Sequence, residues 1–361
     1  MRTTWTDYIN VAEVETIIAN LASRYPDLAR MVTLPEASFE GRKCHAIWLG
    51  SGDAEDKDVV MVIGGVHGME WGSCEIALNF AIDLLGSATD GVPLQYGTKT
   101  FEAEDVVALL DSIHIVVFPL VNPDGRHHSQ HVNPIWRKNL NLRAAPRGVG
   151  GVDINRNFDF LFNFKKAFVP GSGCSGSNDP SDNCYCGPNA FSESESRNVR
   201  WLLDEFARTR WFVDLHACEE GTVMYSWGDD EAQDQVAAMR FDDSAFDGQR
   251  GLPGDSYGEY MSNTDMRTFG ALAKVTADAI NQVRGATVFD TKPSYQLYPT
   301  FGTSQDYAYC RHISSPSKTK AFAFTLEWGK DPHPDWSVME TIMGEVSAGL
   351  IALCTTAAAM P

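Results

Sequence analysis

VVMVIGGVHGMEW, at residues 59–71, joins an apolar run to a glycine-rich polar turn. The run at 59–63 predicts a buried strand because it is short, apolar and ends at two glycines, and residues 73–85 beyond the turn have the pattern of a helix. Similar apolar runs recur along the chain, at residues 44–49, 113–120, 211–215 and 321–326. Near-continuous apolar strands separated by helices predict an α/β fold, a three-layer α/β/α sandwich around a mostly parallel sheet.

Amphipathic segments between and after these runs predict the helices. The first begins near Asn10 and ends at Tyr25-Pro26, where proline stops a helix, and the others cover residues 193–207, 267–283 and 337–354. The polar stretches 171–188 and 229–261 predict long loops, and the second is strongly acidic. No stretch has the composition of an interdomain linker, so residues 1–361 are expected to form a single domain.

The charge balance excludes two classes of partner. The chain has 361 residues with 29 Lys+Arg against 48 Asp+Glu, a formal net charge of −19. This excess repels phosphate backbones and anionic headgroups, so we expect no nucleic-acid partner and no membrane partner. Residues 1–10 contain no apolar run that could act as a signal peptide, which predicts a cytoplasmic protein, or a secreted one if a leader has been removed. The oligomeric state stays open.

Three cysteines lie close together in one polar stretch, at positions 174, 184 and 186. Free thiols, one local disulfide and a small metal site are all compatible with this spacing. A disulfide between Cys174 and Cys184 would close a short loop and stabilise the fold by roughly 2 to 3 kcal/mol in the entropic model. We state this disulfide as an expectation.

Metal-ligating side chains follow two of the predicted strands. His67 and Glu70 come after the run at 59–63, and His216 directly follows the run at 211–215. Ligands bind at the carboxyl ends of strands in such sheets, and two imidazoles with one carboxylate leave zinc an open position for water. The alternative for each histidine is a hydrogen-bonded surface residue. The three together favour a zinc site.

An acid and two arginine segments complete the candidate site. Glu327 follows the apolar run at 321–326, and partial burial there would raise its pKa towards that of a general base. An ion-paired strand cap is the alternative. Arg137 and Arg156 can each be a surface counter-charge, whereas Arg156, between Asn155 and Asn157, also offers a set of donors suited to a carboxylate.

The ordered set of motifs resembles that of zinc carboxypeptidases of the carboxypeptidase A/B type. The match extends from the opening helix to the final one and comprises Gly65-Val66-His67-x-x-Glu70-Trp71, Asn122-Pro123-Asp124-Gly125, Trp136-Arg137-Lys138-Asn139, Gly151-Val152-Asp153-Ile154-Asn155-Arg156-Asn157, Gly187-Pro188, Phe191-Ser192-Glu193, Asp214-Leu215-His216 and Thr325-Leu326-Glu327. Each motif alone is weak, whereas their conjunction is specific. The resemblance implies the family's fold, with a mostly parallel, mixed central sheet.

The resemblance also implies roles for the candidate residues and one Zn²⁺ as cofactor. It implies that His67, Glu70 and His216 bind the zinc ion and that Asp153 orients His67. Glu327 would be the general base, and Arg137 would stabilise the oxyanion. For the substrate, Asn155 and Arg156 would bind the α-carboxylate, Tyr298 would close over the bound peptide, and Gln305 would lie at the base of the side-chain pocket. The implied activity is that of a metallocarboxypeptidase, which hydrolyses the C-terminal bond of a peptide with a free C-terminus.

Two other functions remain open at this point. A zinc amidohydrolase that deacylates a small N-acyl amino acid would share the metal ligands, and a metal-free carboxylate-binding protein could share the fold. The chain also departs from the family pattern. Met69 replaces an arginine that contacts the upstream part of the substrate, the segment 306–327 is longer than usual, and the stretch 229–261 has no counterpart that we can align.

Overall fold

The computed structural model describes residues 5–52, 57–143, 150–219 and 221–360. The helices are α1 (Val11–Arg24), α2 (Gly72–Asp90), α3 (Ala103–Ser112), α4 (Pro123–His131), α5 (Phe164–Ala167), α6 (Ser194–Glu205), α7 (Asn263–Arg284), α8 (Ser304–Ser314) and α9 (Trp336–Ala358). The strands are β1 (Ala29–Thr33), β2 (His45–Leu49), β3 (Val59–Gly64), β4 (Leu94–Tyr96), β5 (Lys99–Phe101), β6 (His114–Phe118), β7 (Thr209–His216), β8 (Thr222–Tyr225), β9 (Ala232–Gln233), β10 (Glu259–Tyr260), β11 (Asp290–Pro293) and β12 (Phe322–Glu327).

Eight of the described strands form the central sheet, in the order β1-β2-β6-β3-β7-β12-β8-β11. The middle strands β6, β3, β7 and β12 pair in parallel, whereas β1, β2 and β8 join their inner neighbours antiparallel. All residues of β3, β6 and β12 are buried, which explains their unbroken apolar character. The prediction of an α/β fold around a mostly parallel, mixed sheet is confirmed.

Helices pack on the sheet and on one another to enclose the core. Helix α9 packs along α7 and α2, α1 packs on β1 and β2, and α8 packs on β7 and β12. Each of the five predicted helices is present, as α1, α2, α6, α7 and α9, and α1 begins at an Asn10–Glu13 capping box and ends before Pro26.

Helix α9 is long and apolar enough to cross a membrane by length and composition alone. In the structure, 72% of its most apolar window is buried inside the molecule. Its apolar composition is therefore accounted for by packing against α7 and α2.

The acidic stretch 229–261 is folded into the molecule. Arg250 is fully buried there, and its guanidinium donates hydrogen bonds to the carbonyls of Phe246 at 2.9 Å and Arg240 at 3.0 Å. Its Nε lies 3.4 Å from Oδ2 of Asp229, which is also buried. Burial, with Glu259 nearby, raises the pKa of the Asp229 carboxyl well above its usual value.

All eight cysteines are free, so the expected disulfide between Cys174 and Cys184 is wrong. Backbone hydrogen bonds close this loop instead, because Ser177 donates to the Cys184 carbonyl and accepts from the Cys186 amide, each at 3.0 Å. Among the described residues, the three loop cysteines do not form a metal-binding group either. The three cysteines therefore lie in one loop, as their spacing in the sequence indicates, but no two of their sulfur atoms are bonded.

Two helical glycines test how tightly the helix layer packs. A Cβ at Gly349 of α9 would lie 2.6 Å from the Ile280 side chain of α7, whereas a Cβ at Gly270 of α7 would meet nothing within 4 Å. Gly270→Ala is expected to stabilise the fold by up to about 1 kcal/mol through helix propensity. Gly349→Ala is expected to destabilise it by about 1 kcal/mol, because overpacking outweighs the same gain.

Urea denaturation of the two variants and the parent measures both effects. Equal shifts of the two midpoints in the same direction would contradict the close approach of α7 and α9.

Candidate metal centre and active site

Parallel pairing brings the ends of three strands to one edge of the sheet. Gly64 of β3 lies opposite Leu215 of β7, and His216 of β7 lies opposite Glu327 of β12. The residues that follow β3 therefore meet the last residues of β7 and β12. This is the edge at which open α/β sheets bind ligands.

The three predicted metal ligands converge there. Ligand atoms of His67, Glu70 and His216 all lie within 4.8 Å of one another, and the three residues are buried. Nδ1 of His67 lies 2.6 Å from one oxygen of Glu70, and Nδ1 of His216 lies 3.0 Å from the other. Two imidazole nitrogens and a carboxylate, with room for a further ligand, suit a catalytic zinc ion.

The neighbouring charges shift the pKa values of two of these ligands. Burial opposes ionisation of Glu70, but the two imidazoles outweigh it and hold the pKa of the carboxyl well below its usual range. For His216, Asp214 and Glu70 overcome the effect of burial and raise the imidazole pKa well above its usual value. A metal ion must displace that proton, so binding is expected to release protons.

Each histidine ligand has an acidic partner on its other nitrogen. Nε2 of His67 lies 3.2 Å from Asp153, as predicted, and Nε2 of His216 lies 2.9 Å from Asp214. Such partners fix ring orientation and raise ligand basicity. No role for Asp214 was predicted from the sequence. Its position two residues before His216, on the same face of β7, was the available signal.

The loop that carries His67 is held against α4. Asn122, at the start of α4, donates its side-chain amide to the Val66 carbonyl at 3.1 Å, and the Gly68 amide donates to the Arg137 carbonyl at 2.9 Å. A Cβ at Gly68 would lie 2.5 Å from the backbone of Gly125, so this approach requires glycine. The Asn-Pro-Asp-Gly motif therefore positions a metal ligand.

Glu327 faces this cluster from the end of β12. It is buried, and its Oε2 has no hydrogen-bond partner among the described residues. Burial, partly offset by His216 and reinforced by Glu70, raises the pKa of Glu327 to about 8. A desolvated carboxyl with one oxygen free beside a candidate metal site is the arrangement expected of a general base.

Arg137 lines the same cavity as the metal ligands. Its Nε donates to Asp153 at 3.0 Å, and its guanidinium is 3.9 Å from Glu70. The two carboxylates outweigh burial and raise its pKa, so the side chain stays charged. Asp153 thus contacts both His67 and Arg137.

Asn155 and Arg156 follow Asp153 in a short 3-10 helix and line the same cavity. The Asn155 side chain already has partners, because its oxygen accepts from the Ser304 amide at 2.9 Å and its nitrogen lies 3.3 Å from Nε2 of His216. Arg156 is buried, and its guanidinium is fixed by three hydrogen bonds to backbone and hydroxyl oxygens.

The cavity has a volume of about 110 Å³ and brings together nine of the predicted residues. They are His67, Glu70, Arg137, Asn155, Arg156, His216, Tyr298, Gln305 and Glu327. The tenth, Asp153, lies behind His67. Tyr298 is 40% exposed, whereas Gln305 is 1% exposed and donates to the Ser294 hydroxyl at 2.8 Å. The longer segment after Asp306 therefore leaves Gln305 in the cavity wall.

A family model described as zinc carboxypeptidase matches residues 14–343. The chain belongs to the zinc carboxypeptidase family. It is 32% identical to carboxypeptidase B of Helicoverpa zea over 240 residues, which cover 64% of this chain and 49% of that protein. The crystal structure of carboxypeptidase A from Helicoverpa armigera has the same fold, with a TM-score of 0.71 at 22% identity over 98% of this chain and 74% of that one.

Another relative is named an inactive metallocarboxypeptidase, the protein ECM14 of Ajellomyces dermatitidis. It is 25% identical over 229 residues, which cover 61% of this chain and 35% of that protein. The chain spans about half the length of the curated relatives that it matches, between 35% and 65% in those compared. The family uses one zinc ion, and the His67, Glu70 and His216 set fits it.

The acidic partners of the histidines make a prediction about metal affinity. Asp153→Asn and Asp214→Asn are each expected to weaken zinc binding about 10- to 100-fold, because each removes the charge that supports one imidazole ligand. Asp242→Asn, at a surface ion pair with Arg240, is the control. Competition with a chromophoric zinc chelator measures the affinities. Unchanged affinity in both variants would show that these carboxylates do not support the ligands.

Proposed function

We propose that this chain is a zinc-dependent metallocarboxypeptidase that hydrolyses the C-terminal bond of a peptide. The observation that carries the proposal is the unpartnered Oε2 of Glu327 in one cavity with the His67, Glu70 and His216 cluster. Arg137 and Arg156 line that cavity too and supply positive charge for an oxyanion and a carboxylate.

When bound, zinc supplies Lewis acidity that polarises the scissile carbonyl and makes a water molecule more acidic. Glu327 accepts the proton of the attacking water and then passes it to the departing amine. Arg137, held by Asp153, donates to the oxygen on which negative charge develops. The chain's own residues thus move the proton and stabilise the charge.

Recognition of a free C-terminus is assigned to Arg156. A guanidinium binds a carboxylate through two parallel N–H donors, which gives direction as well as affinity. The half-exposed Tyr298 lies at the mouth of the cavity and is assigned the closure that excludes water. With Met69 in place of an arginine, the upstream part of the substrate lacks one charged contact.

A substrate panel separates this function from its alternatives. Zinc-dependent release of the C-terminal residue from blocked dipeptides supports the carboxypeptidase, whereas faster turnover of N-acyl amino acids supports the amidohydrolase. Zinc binding without turnover of either class would place the chain with its relative that is named inactive. Activity that survives dialysis against a chelator would contradict the zinc mechanism.

Replacing Glu327 tests the proton transfer directly. Glu327→Gln keeps the shape of the side chain and is expected to lower kcat about 10³-fold while zinc stays bound. The parent should lose kcat/KM as the pH falls, because Glu327 must be ionised. That loss is expected below pH 8, since the charge of bound zinc lowers the carboxyl pKa.

Glu340→Gln, on the exposed face of α9, is the control. Full activity of Glu327→Gln, measured by amino-acid release, would exclude Glu327 as the base.

For the departing residue we propose a preference for polar or mixed side chains. Gln305 lies in the cavity wall and donates to Ser294, whose hydroxyl in turn lies 3.3 Å from the Tyr225 carbonyl. The Ser294 hydroxyl also lies 3.2 Å from the Gln305 carbonyl oxygen, which has a second lone pair to accept from a substrate donor. A purely apolar side chain would leave that lone pair without a donor, which costs about 1 kcal/mol or more.

Two substitutions at position 305 test this preference. Gln305→Asp is expected to raise kcat/KM for peptides ending in Lys or Arg about 10- to 100-fold relative to peptides ending in Gln, because it places a full charge in the cavity wall. Gln305→Ile is expected to favour aliphatic residues. Release from a mixed peptide library gives both profiles, and two unchanged profiles would show that residue 305 does not select the side chain.

A further inference from the structure

The loop at residues 171–186 meets the proposed carboxylate-binding arginine through one residue, Ser175. The Ser175 carbonyl accepts from Nε of Arg156 at 2.6 Å, and the Ser175 hydroxyl accepts from Nη2 at 3.2 Å. The third bond of the guanidinium runs from Nη1 to the Asn155 carbonyl at 2.6 Å. Two of the three acceptors that fix Arg156 therefore belong to Ser175.

These bonds decide which donors remain for a ligand. A guanidinium has five N–H groups in a rigid plane, one on Nε and two on each terminal nitrogen. The side that carries Nε faces Ser175, and one N–H of Nη1 faces the Asn155 carbonyl. One N–H on each terminal nitrogen remains, and these two donors, the free fork, can each bind one oxygen of a carboxylate.

Ser175 is itself fixed by the segment that carries Tyr298. Its amide donates to the Pro299 carbonyl at 2.8 Å, and it forms an isolated bridge with Thr300. A Cβ at the next residue, Gly176, would lie 2.0 Å from the Phe301 ring, so the loop approaches this segment as closely as glycine allows. Ser175 thus contacts both the Arg156 guanidinium and the segment that carries Tyr298.

We propose that Ser175 is a positioning residue that aims the free fork of Arg156 at the substrate's terminal carboxylate. The inference rests on the proposed function, since it takes that carboxylate as the ligand of Arg156. Without the Ser175 hydroxyl, the guanidinium keeps its charge and its bonds to the Ser175 and Asn155 carbonyls but loses the third bond, which runs from Nη2. Binding of a free acid then weakens, whereas binding of the corresponding amide, which cannot pair with the fork in the same way, changes little.

The test uses zinc-loaded protein with Glu327→Gln, so that bound peptide is not turned over. Acetyl-Ala-Gln as the free acid and as the amide is titrated by calorimetry into this protein and into versions that also carry Ser175→Ala, Ser175→Thr or Ser177→Ala. Ser177 lies in the same loop, and its hydroxyl accepts from the Asp179 amide at 3.0 Å, so it is the matched control.

Ser175→Ala is expected to weaken binding of the acid about 10-fold and to leave binding of the amide unchanged. Ser175→Thr, which keeps the hydroxyl, should restore binding of the acid to within about 3-fold, and Ser177→Ala should match the parent. Ser175→Gly replaces the alanine variant if thermal melting shows that the latter is unfolded. Unchanged binding of the acid, or equal losses for acid and amide, would overturn the assignment.

The same data separate this inference from the proposed function. A parent that binds acid and amide equally would refute the carboxylate role of Arg156, and the inference with it. Suppose instead that the Glu327→Gln parent binds the acid more tightly than the amide, but the protein with Glu327 intact releases no amino acid. Hydrolysis would then be refuted, whereas the titrations of the Ser175 variants would still decide whether Ser175 positions Arg156.

Discussion

The parallel register of β3, β7 and β12 is the constraint on which the rest of the site depends. A one-residue slip in a strand reverses the direction of every side chain in it. His216 and Glu327 are paired across β7 and β12, so the position of the proposed base relative to a metal ligand is fixed by backbone hydrogen bonds. Only His67 and Glu70 come from a loop, and Asn122 holds that loop by a hydrogen bond to the Val66 carbonyl.

Asp153 contacts both a candidate metal ligand and the proposed oxyanion donor. It contacts the His67 imidazole on one oxygen and the Arg137 guanidinium on the other. Burial opposes its ionisation, but Arg137 and His67 outweigh that effect and hold its pKa below the usual range. Metal affinity and placement of Arg137, the proposed oxyanion donor, therefore depend on one carboxylate, and the effects of substitutions at His67 and Arg137 are expected to be non-additive.

The central strands could be predicted from the sequence because burial on both faces gives unbroken apolar runs, and the candidates His67, Glu70, His216 and Glu327 follow from their places after those runs. The roles of Asp153, Asn155, Tyr298 and Gln305 were implied by the family resemblance alone. Residues 59–63 and 321–326 fall within one residue of the observed strand ends. The short edge strand β11 was not predicted, since it is half-exposed and has no such run. Helix α4 was not predicted either, because its sequence is polar and lacks an apolar stripe.

Contacts that depend on side-chain direction were harder to predict. The bonds from Arg156 to Ser175 join segments nineteen residues apart through a loop without periodicity. The spacing of Cys174 and Cys184 predicted a disulfide, yet a backbone ladder closes that loop. Asp214 could have been recognised from its alternation with His216, whereas the Ser175 contact requires the folded chain.

The buried acids of the 229–261 stretch change what the formal charge of −19 means for this molecule. Burial raises the pKa of Asp230 and Glu259 to about 7, and that of the neighbouring Asp306 to about 6. These carboxyls hold part of their protons near neutral pH, so the field that reaches a distant cationic peptide is weaker than the residue count suggests. The unfolded chain, with ordinary carboxyl pKa values, binds fewer protons there. Folding therefore takes up protons, and between about pH 5 and 8 these groups stabilise the native state less as the pH rises.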